Sequence, residues 1–232
     1  MTQDPTRSLA GIDLLSEIDK DELSLIEARC GWRHFNPQEQ IIDRHSVSKD
    51  VYFIIQGTVR VVNYSVSGRE IYFDDINAGA IFGEFSAIDG EPRSANVVAV
   101  THTIVASMSP NVFQEMLADH PNVAFILMKR LAGIIRTSVE RIMDLSTLGA
   151  NNRVYAELLR LAKLNMNNDM TATISPVPNH SDVASRVSTT RETVARVFGE
   201  LTKNKILKKL DNKLEVNDVE RLRKMVELFR GD

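Results

Sequence analysis

The chain has 232 residues, of which 43% are hydrophobic and 25% charged, and its formal net charge is −3. That length can bury a proper core in two domains, and the ordinary charge fraction excludes a disordered chain or one that coats nucleic acid over its whole surface. The single cysteine, Cys30, excludes a disulfide framework and any four-cysteine metal or iron–sulfur site supplied by this chain.

The charge is unevenly shared. Residues 1–145 carry 13 Lys and Arg against 20 Asp and Glu, a net −7, and residues 146–232 carry 15 against 11, a net +4. A basic end on an acidic body points to the C-terminal part as the nucleic-acid end. The opening MTQDPTRSLAGIDLL has no apolar run behind basic residues. No apolar stretch approaches the ~20 residues needed to span a bilayer, so the expectation is a soluble, cytoplasmic protein without membrane contact.

Residues 13–32 read as helix, with Leu14, Leu15, Ile18, Leu23, Leu25 and Ile26 as apolar positions. From about Gln38 to Met108, short alternating or β-branched runs are punctuated by turns at Gly57, Ser67-Gly68 and Asn77-Ala78-Gly79. That pattern predicts an antiparallel barrel or sandwich. Ser109-Pro110 opens a helix, with Ser as N-cap and Pro in its first turn. After His120-Pro121 a long helix runs to about Leu145, with Ala124, Leu127, Leu131, Ile134, Ile142 and Leu145 near the spacing of a coiled-coil seam. Such a helix either pairs with a second copy or covers the barrel. Ser138 interrupts the seam with Thr137 beside it, and polar groups there need partners, either across a dimer or on a ligand.

Ser146–Asn152, with Gly149 and two asparagines, reads as a hinge. A helix (RVYAELLRLAKL) and a polar stretch, Asn165–Asn179, follow. Two helical segments then meet at a turn near Val187–Thr189, and ILKKLDNKLEV forms a hairpin turning at Asp211-Asn212. Asn217 is the expected cap of a last helix, with Glu220 three residues on. This is the outline of a winged helix.

Two strings carry chemistry. In residues 82–95, Gly83 permits close backbone approach, and the turn Phe85–Asp89 offers free N–H groups to an anion. Arg93 supplies a planar cation for a phosphate, Ser94 a hydroxyl, Ala95 a backbone N–H, and Glu84 an acceptor for a sugar hydroxyl. Together they suit a nucleotide; alone, Glu84 and Arg93 favour the reading of an ordinary ion pair across a turn. The second string, Ser188–Arg196, opens a helix with hydroxyl residues, Thr190 among them, able to meet phosphates. Arg191, Glu192 and Arg196 spread over neighbouring base pairs, arginine donating to guanine and glutamate accepting from cytosine. The alternative is solvated charge on an exposed helix.

The first string closely resembles the phosphate-binding cassette of cyclic-nucleotide-binding domains, through Phe82, Gly83, Glu84, Ala87, Ile88, Pro92, Arg93, Ser94 and Ala95. The second, with Val183, Ala184, Val187, Val194, Val197, Phe198 and Leu201, resembles the DNA-reading part of the cyclic AMP receptor protein (CRP/FNR) family, and the likeness covers residues 12–230. The resemblance implies an α+β fold: an N-terminal antiparallel β-roll or jelly roll over 1–120, a dimerisation helix and hinge over 121–148, and a winged helix-turn-helix over 149–232.

It further implies an allosteric homodimer in which Glu84 accepts from the ribose 2′-OH and Arg93 neutralises the cyclic phosphate, with Gly83, Phe85, Ser94 and Ala95 around them. Thr137 and Ser138 would meet the base, in a register uncertain by one residue. The ligand would be cyclic AMP, with cyclic GMP the alternative because Ser94 stands where domains tuned to it often carry Thr. Arg191, Glu192 and Arg196 would read TGTGA-like half-sites, with Asn179, His180 and Ser181 near phosphates, although many relatives have Thr in place of Asn179. RNA polymerase is the implied further partner, and no metal is implied. His45 and His102 read as ordinary strand or surface residues, and the intact cassette argues against haem. No nucleophile–base pair or ATP-binding loop points to an enzyme.

Overall fold

In the computed structural model the described residues are 7–66, 68, 70–167 and 170–230; of the expected turns, Ser67 lies outside them. The chain divides into two compact units, Met1–Gly133 and Ile134–Asp232, and the division falls inside one long helix.

The first unit opens with a 3-10 turn (Asp13–Leu15) and helix α1 (Lys20–Glu27). Eight strands follow: β1 (Gly31–Phe35), β2 (Gln40–Ile42), β3 (Val51–Gln56), β4 (Thr58–Tyr64), β5 (Glu70–Asn77), β6 (Ile81–Phe82), β7 (Asn96–Ala99) and β8 (Thr103–Met108). Helix α2 (Glu84–Asp89) sits between β6 and β7, and α3 (Pro110–Asp119) and α4 (Pro121–Thr147) come last. The strands form two antiparallel sheets, β1-β8-β3-β6 and β2-β7-β4-β5. This is the expected roll.

Strand β3 explains the architecture. Its Tyr52 and Ile54 join Phe35, Val59, Phe82, Val97 and Val105 between the sheets. Its Val51 and Phe53 face the other way, into a core with Leu15, Ile26, Phe113, Met116, Val123 and Leu127 from the helices. A strand covered on both faces shows a continuous apolar run instead of alternation. Fully burying a side chain such as Phe53 contributes about 1.5–3 kcal/mol, so this strand anchors the unit.

Two helical expectations are corrected. The segment 13–32 is not one helix: the 3-10 turn ends at Leu15, Asp19 caps α1 by accepting from the Asp21 and Glu22 amides at 3.0 Å, and from Gly31 the chain is already strand β1. On α4, Leu127 is buried in the helix–sheet core and Leu131 packs against it, so neither belongs to a free seam. Ile134, Ile142 and Leu145 of the expected seam are exposed, and Phe125, Met128, Ala132, Ile135, Val139 and Ile142 form an exposed apolar line with the three-four spacing of a heptad. Ser138 therefore flanks that line, and its hydroxyl donates back to the Ile134 carbonyl at 2.8 Å.

The second unit contains α5 (Ala150–Lys163), β9 (Ala172–Ile174), α6 (His180–Arg186), α7 (Arg191–Lys203), β10 (Leu207–Leu210), β11 (Lys213–Val216) and α8 (Val219–Arg230). The β10–β11 hairpin turns at Asp211-Asn212 as expected, and β11 also pairs with β9, a strand hidden in the polar stretch. Val154, Leu158, Val194, Val197, Leu201, Leu207, Val216 and Leu222 form the core. The cap of α8 is Asp218, not Asn217: Asp218 accepts from the Arg221 amide at 2.7 Å, while the Asn217 amide group donates to the Lys205 carbonyl.

Candidate effector site and DNA-reading face

The cassette begins where β6 ends. Gly83 stands at φ +82°, and a Cβ on it would lie 2.9 Å from both Arg93 Nη1 and the Asp50 carbonyl oxygen. Only glycine fits there. Arg93 is 4% exposed and donates from Nη1 to the Gly83 carbonyl and from Nη2 to the Asp50 carbonyl, each at 2.8 Å. Its Nε is buried without a partner. Burial lowers the guanidinium pKa, while Tyr52, Asp50 and Glu84 oppose that; arginine nonetheless stays charged at neutral pH. The Tyr52 ring stacks on Phe82 at 5.0 Å, and Lys49 donates to the Gly90 carbonyl, closing the 43–50 loop onto the end of α2. A cavity of about 400 Å³ lies beside Arg93, lined also by Arg33, Gln40, Ile42, Asp50 and Tyr52.

Glu84 is 5% exposed, and burial pushes its carboxyl pKa up; its own amide, Arg130 and Arg93 pull the other way. The two cassette charges are not spent on each other, because the Arg93 donors go to main-chain carbonyls. The ion-pair alternative therefore fails. Ser94 is exposed, with its carbonyl accepting from the Asn63 amide group at 3.0 Å; Ala95 is half-buried and Phe85 exposed. Thr137 is half-buried and Ser138 exposed on α4, within the second unit.

In the second unit, Thr190 caps α7, its hydroxyl accepting from the Thr193 amide at 3.2 Å, and Asn179 caps α6 by accepting from the Ser181 amide at 3.0 Å. Arg191, Glu192 and Arg196 are all exposed on α7. The Glu192 carboxyl is held below its ordinary value by its own amide and the Thr190 hydroxyl. His180 packs edge-on to Phe198 at 4.7 Å; burial, then Arg191 and Lys209, lower its pKa and keep it neutral at physiological pH. That ring is part of the packing between α6 and α7.

Residues 32–120 match the family described as the cyclic nucleotide-binding domain, and residues 152–225 match the Crp-like helix-turn-helix domain. The chain is 25% identical over 181 residues to the CRP-like cAMP-activated global transcriptional regulator of Mycobacterium tuberculosis, across 74% of this chain and 77% of that protein. It is 27% identical to the cAMP-activated global transcriptional regulator Vfr of Pseudomonas aeruginosa, across 76% of this chain and 79% of that protein. A solved CooA variant from Carboxydothermus hydrogenoformans has a TM-score of 0.80 at 17% identity, covering 95% of this chain and 98% of that one, a likeness of fold alone.

The chain belongs to the CRP/FNR family. This CRP-like transcription regulator joins a cyclic nucleotide-binding domain to a DNA-binding domain.

Three polar residues of this CRP/FNR regulator escaped the sequence reading. Arg130, on α4, donates to the Ile81 carbonyl at 2.8 Å. Asn151, in the first turn of α5, accepts from Arg196 Nη2 at 3.1 Å and so holds one edge of that guanidinium, leaving its other donors free. Lys209, on β10, stands near His180 and joins Lys208 and Lys213 on the hairpin. The basic run of the hairpin could have been found in the sequence. Nothing in the spacing announces Asn151.

Proposed function

We propose that this regulator is a homodimer that binds cyclic AMP in its cassette and then binds palindromic TGTGA-like DNA sites. The observation that carries the reading is the pair Glu84 and Arg93: two buried charges at either end of a glycine-opened turn, not paired with each other. A guanidinium with unspent N–H groups suits a cyclic phosphate, and a buried carboxylate suits the 2′-OH. The activating ligand named for the relatives supports the choice of cyclic AMP. Gly83, Phe85, Ser94 and Ala95 would complete the site, with Thr137 and Ser138 offering hydroxyls to the base. Isothermal calorimetry with cyclic AMP and cyclic GMP tests the pocket; heat from cyclic GMP alone would reverse the assignment, and heat from neither would overturn it.

The domain limits that go with this reading are 1–120 for ligand binding, 121–148 for dimerisation and hinge, and 149–232 for DNA binding, in a cytoplasmic protein that contacts RNA polymerase. The exposed heptad on α4 supports pairing. Ile135 is 63% exposed, so Ile135→Glu should leave the protomer folded while placing charge on the seam. Sedimentation should show dimer dissociation shifted by two orders of magnitude or more; an unchanged dimer would place the interface elsewhere.

Arg191, Glu192 and Arg196 would read base edges, with Thr190, Asn179, His180 and Ser181 near the sugar–phosphate backbone and Lys209 adding positive charge. Arg196→Ala should lose ~1–3 kcal/mol of discrimination per half-site between a TGTGA palindrome and random DNA. Fluorescence anisotropy on both DNAs checks this. Equal weakening on the two would make Arg196 a phosphate contact instead.

A further inference from the structure

We propose that Asn151 is a positioning residue for sequence discrimination: from α5 it sets the plane of the Arg196 guanidinium before DNA arrives. The proposal deepens the DNA-binding reading and rests on the role given there to Arg196.

Arg196 is exposed on α7, and a long side chain in that setting ordinarily samples many rotamers. Its Nη2 instead donates to Asn151 Oδ1 at 3.1 Å, a contact between residues 45 positions apart. Asn151 stands in the first turn of α5, two residues past the N-cap Gly149. The two helices share a core, in which Val154 and Leu158 pack with Val194, Val197 and Leu201. Arg153 adds a polar tie. Its Nε and Nη2 donate to the Val187 and Ser188 carbonyls at 2.8 and 2.9 Å, just ahead of α7, and its Nη1 donates to the Leu148 carbonyl at 2.8 Å. The first turn of α5 is thereby fixed against the turn that opens the reading helix.

The facing pair repeats one turn further along. Tyr155 lies four residues after Asn151 and Glu200 four after Arg196, which puts each pair on one helix face. Tyr155 is 5% exposed; burial, then the Glu200 charge and a hydrogen bond to it, raise its pKa, and Arg196 pulls the other way. Glu200 and Arg196 of α7 thus both act on one buried phenol of α5.

A guanidinium held in one plane is preorganised for guanine O6 and N7, whereas one left to rotate must be ordered at each encounter. Random DNA offers phosphates in any register and gains little from a fixed plane. The contribution of Asn151 therefore falls on discrimination between sequences and not on affinity in general.

The test is fluorescence anisotropy with cyclic AMP present, on a TGTGA palindrome, on palindromes changed at single base pairs, and on random DNA. The proteins are the full chain, Asn151→Ala, Asn151→Asp, Arg196→Ala and the double variant Asn151→Ala with Arg196→Ala. Asn151→Ala should lose about threefold to tenfold in discrimination per half-site, with random DNA bound as before. The loss should fall at the base pair where Arg196→Ala also loses it. Asn151→Asp keeps the acceptor and should keep the wild-type pattern, while its charge weakens binding to every DNA alike. With Arg196→Ala already in place, removing Asn151 should change nothing further. Equal weakening on all DNAs by Asn151→Ala, no weakening, or the same loss without Arg196 overturns the role of Asn151 and leaves Arg196 reading its base. An Arg196→Ala protein that discriminates as well as the wild type overturns the base-reading assignment itself, and this proposal with it.

Discussion

Arg93→Ala is expected to weaken cyclic AMP binding by at least about 100-fold, the largest loss from any single change in the cassette. Two charge-assisted hydrogen bonds to a phosphate are at stake, each contributing ~1.5–3 kcal/mol, and 1.36 kcal/mol is a factor of ten. The same change strips partners from the Gly83 and Asp50 carbonyls, which Arg93 bridges at 2.8 Å. Leaving such groups unsatisfied costs ~1–3 kcal/mol each, so the first unit should also melt at lower temperature. Arg93→Lys separates the two effects. It retains a cation yet cannot bridge two carbonyls and a phosphate from one plane, so its affinity should fall between those of wild type and the alanine variant. Calorimetry together with thermal melting checks all three proteins. An alanine variant that binds like the wild type would remove Arg93 from the site.

The cassette was legible because its chemistry is local. Gly83, Glu84 and Arg93 lie within eleven residues, and one turn brings them together. The roll was legible because β3 and its neighbours are short apolar or β-branched runs separated by glycine turns. Two of the α4 positions read as seam, Leu127 and Leu131, lie in the core for a physical reason: the helix has two apolar lines. Leu127 and Leu131 serve the core of the first unit, while Phe125, Met128, Ile135 and Val139 remain exposed. Periodicity reports that both lines exist, not which one a sheet will cover. Asn151 and Asp50 act through a single carbonyl or amide set by tertiary packing, and no pattern in sequence marks such groups. Arg130 was half legible, since it falls seven residues before Thr137 on the same helix face. What it would touch depended on where β6 ends.

The second unit carries a charge cluster whose disruption should be the most damaging to stability. Glu157 is 1% exposed; it accepts from Arg186 Nη1 at 2.7 Å and from Arg160, with Arg141 at 4.0 Å. Arg160 also donates to Asp144 at 3.0 Å, so the last turns of α4 are tied through α5 to the end of α6. Burial alone would push the Glu157 carboxyl up; Arg186, Arg160 and Arg141 together outweigh it and hold the group below its ordinary value of 4.5. Glu157→Ala should therefore destabilise the unit by ~3–5 kcal/mol, because it strands buried guanidiniums. For a unit of about 100 residues this lowers the melting temperature by about 12 °C or more. The sign of the pH dependence follows from the lowered value. The stabilisation is fully present above pH 4.5 and disappears as pH falls through the folded-state value, so Glu157→Gln should flatten the acid limb of a stability–pH curve. Replacing the Glu157–Arg186 pair, with Glu157→Leu, Arg186→Met and Arg141→Met together while Arg160 keeps Asp144 as its partner, should restore much of the loss, since apolar packing can substitute for a buried ion pair. If the triple variant is as stable as wild type but no longer discriminates operator from random DNA, the cluster sets the geometry of the reading head more than its strength. A Glu157→Ala protein that melts with the wild type would show instead that water enters the cluster and screens it.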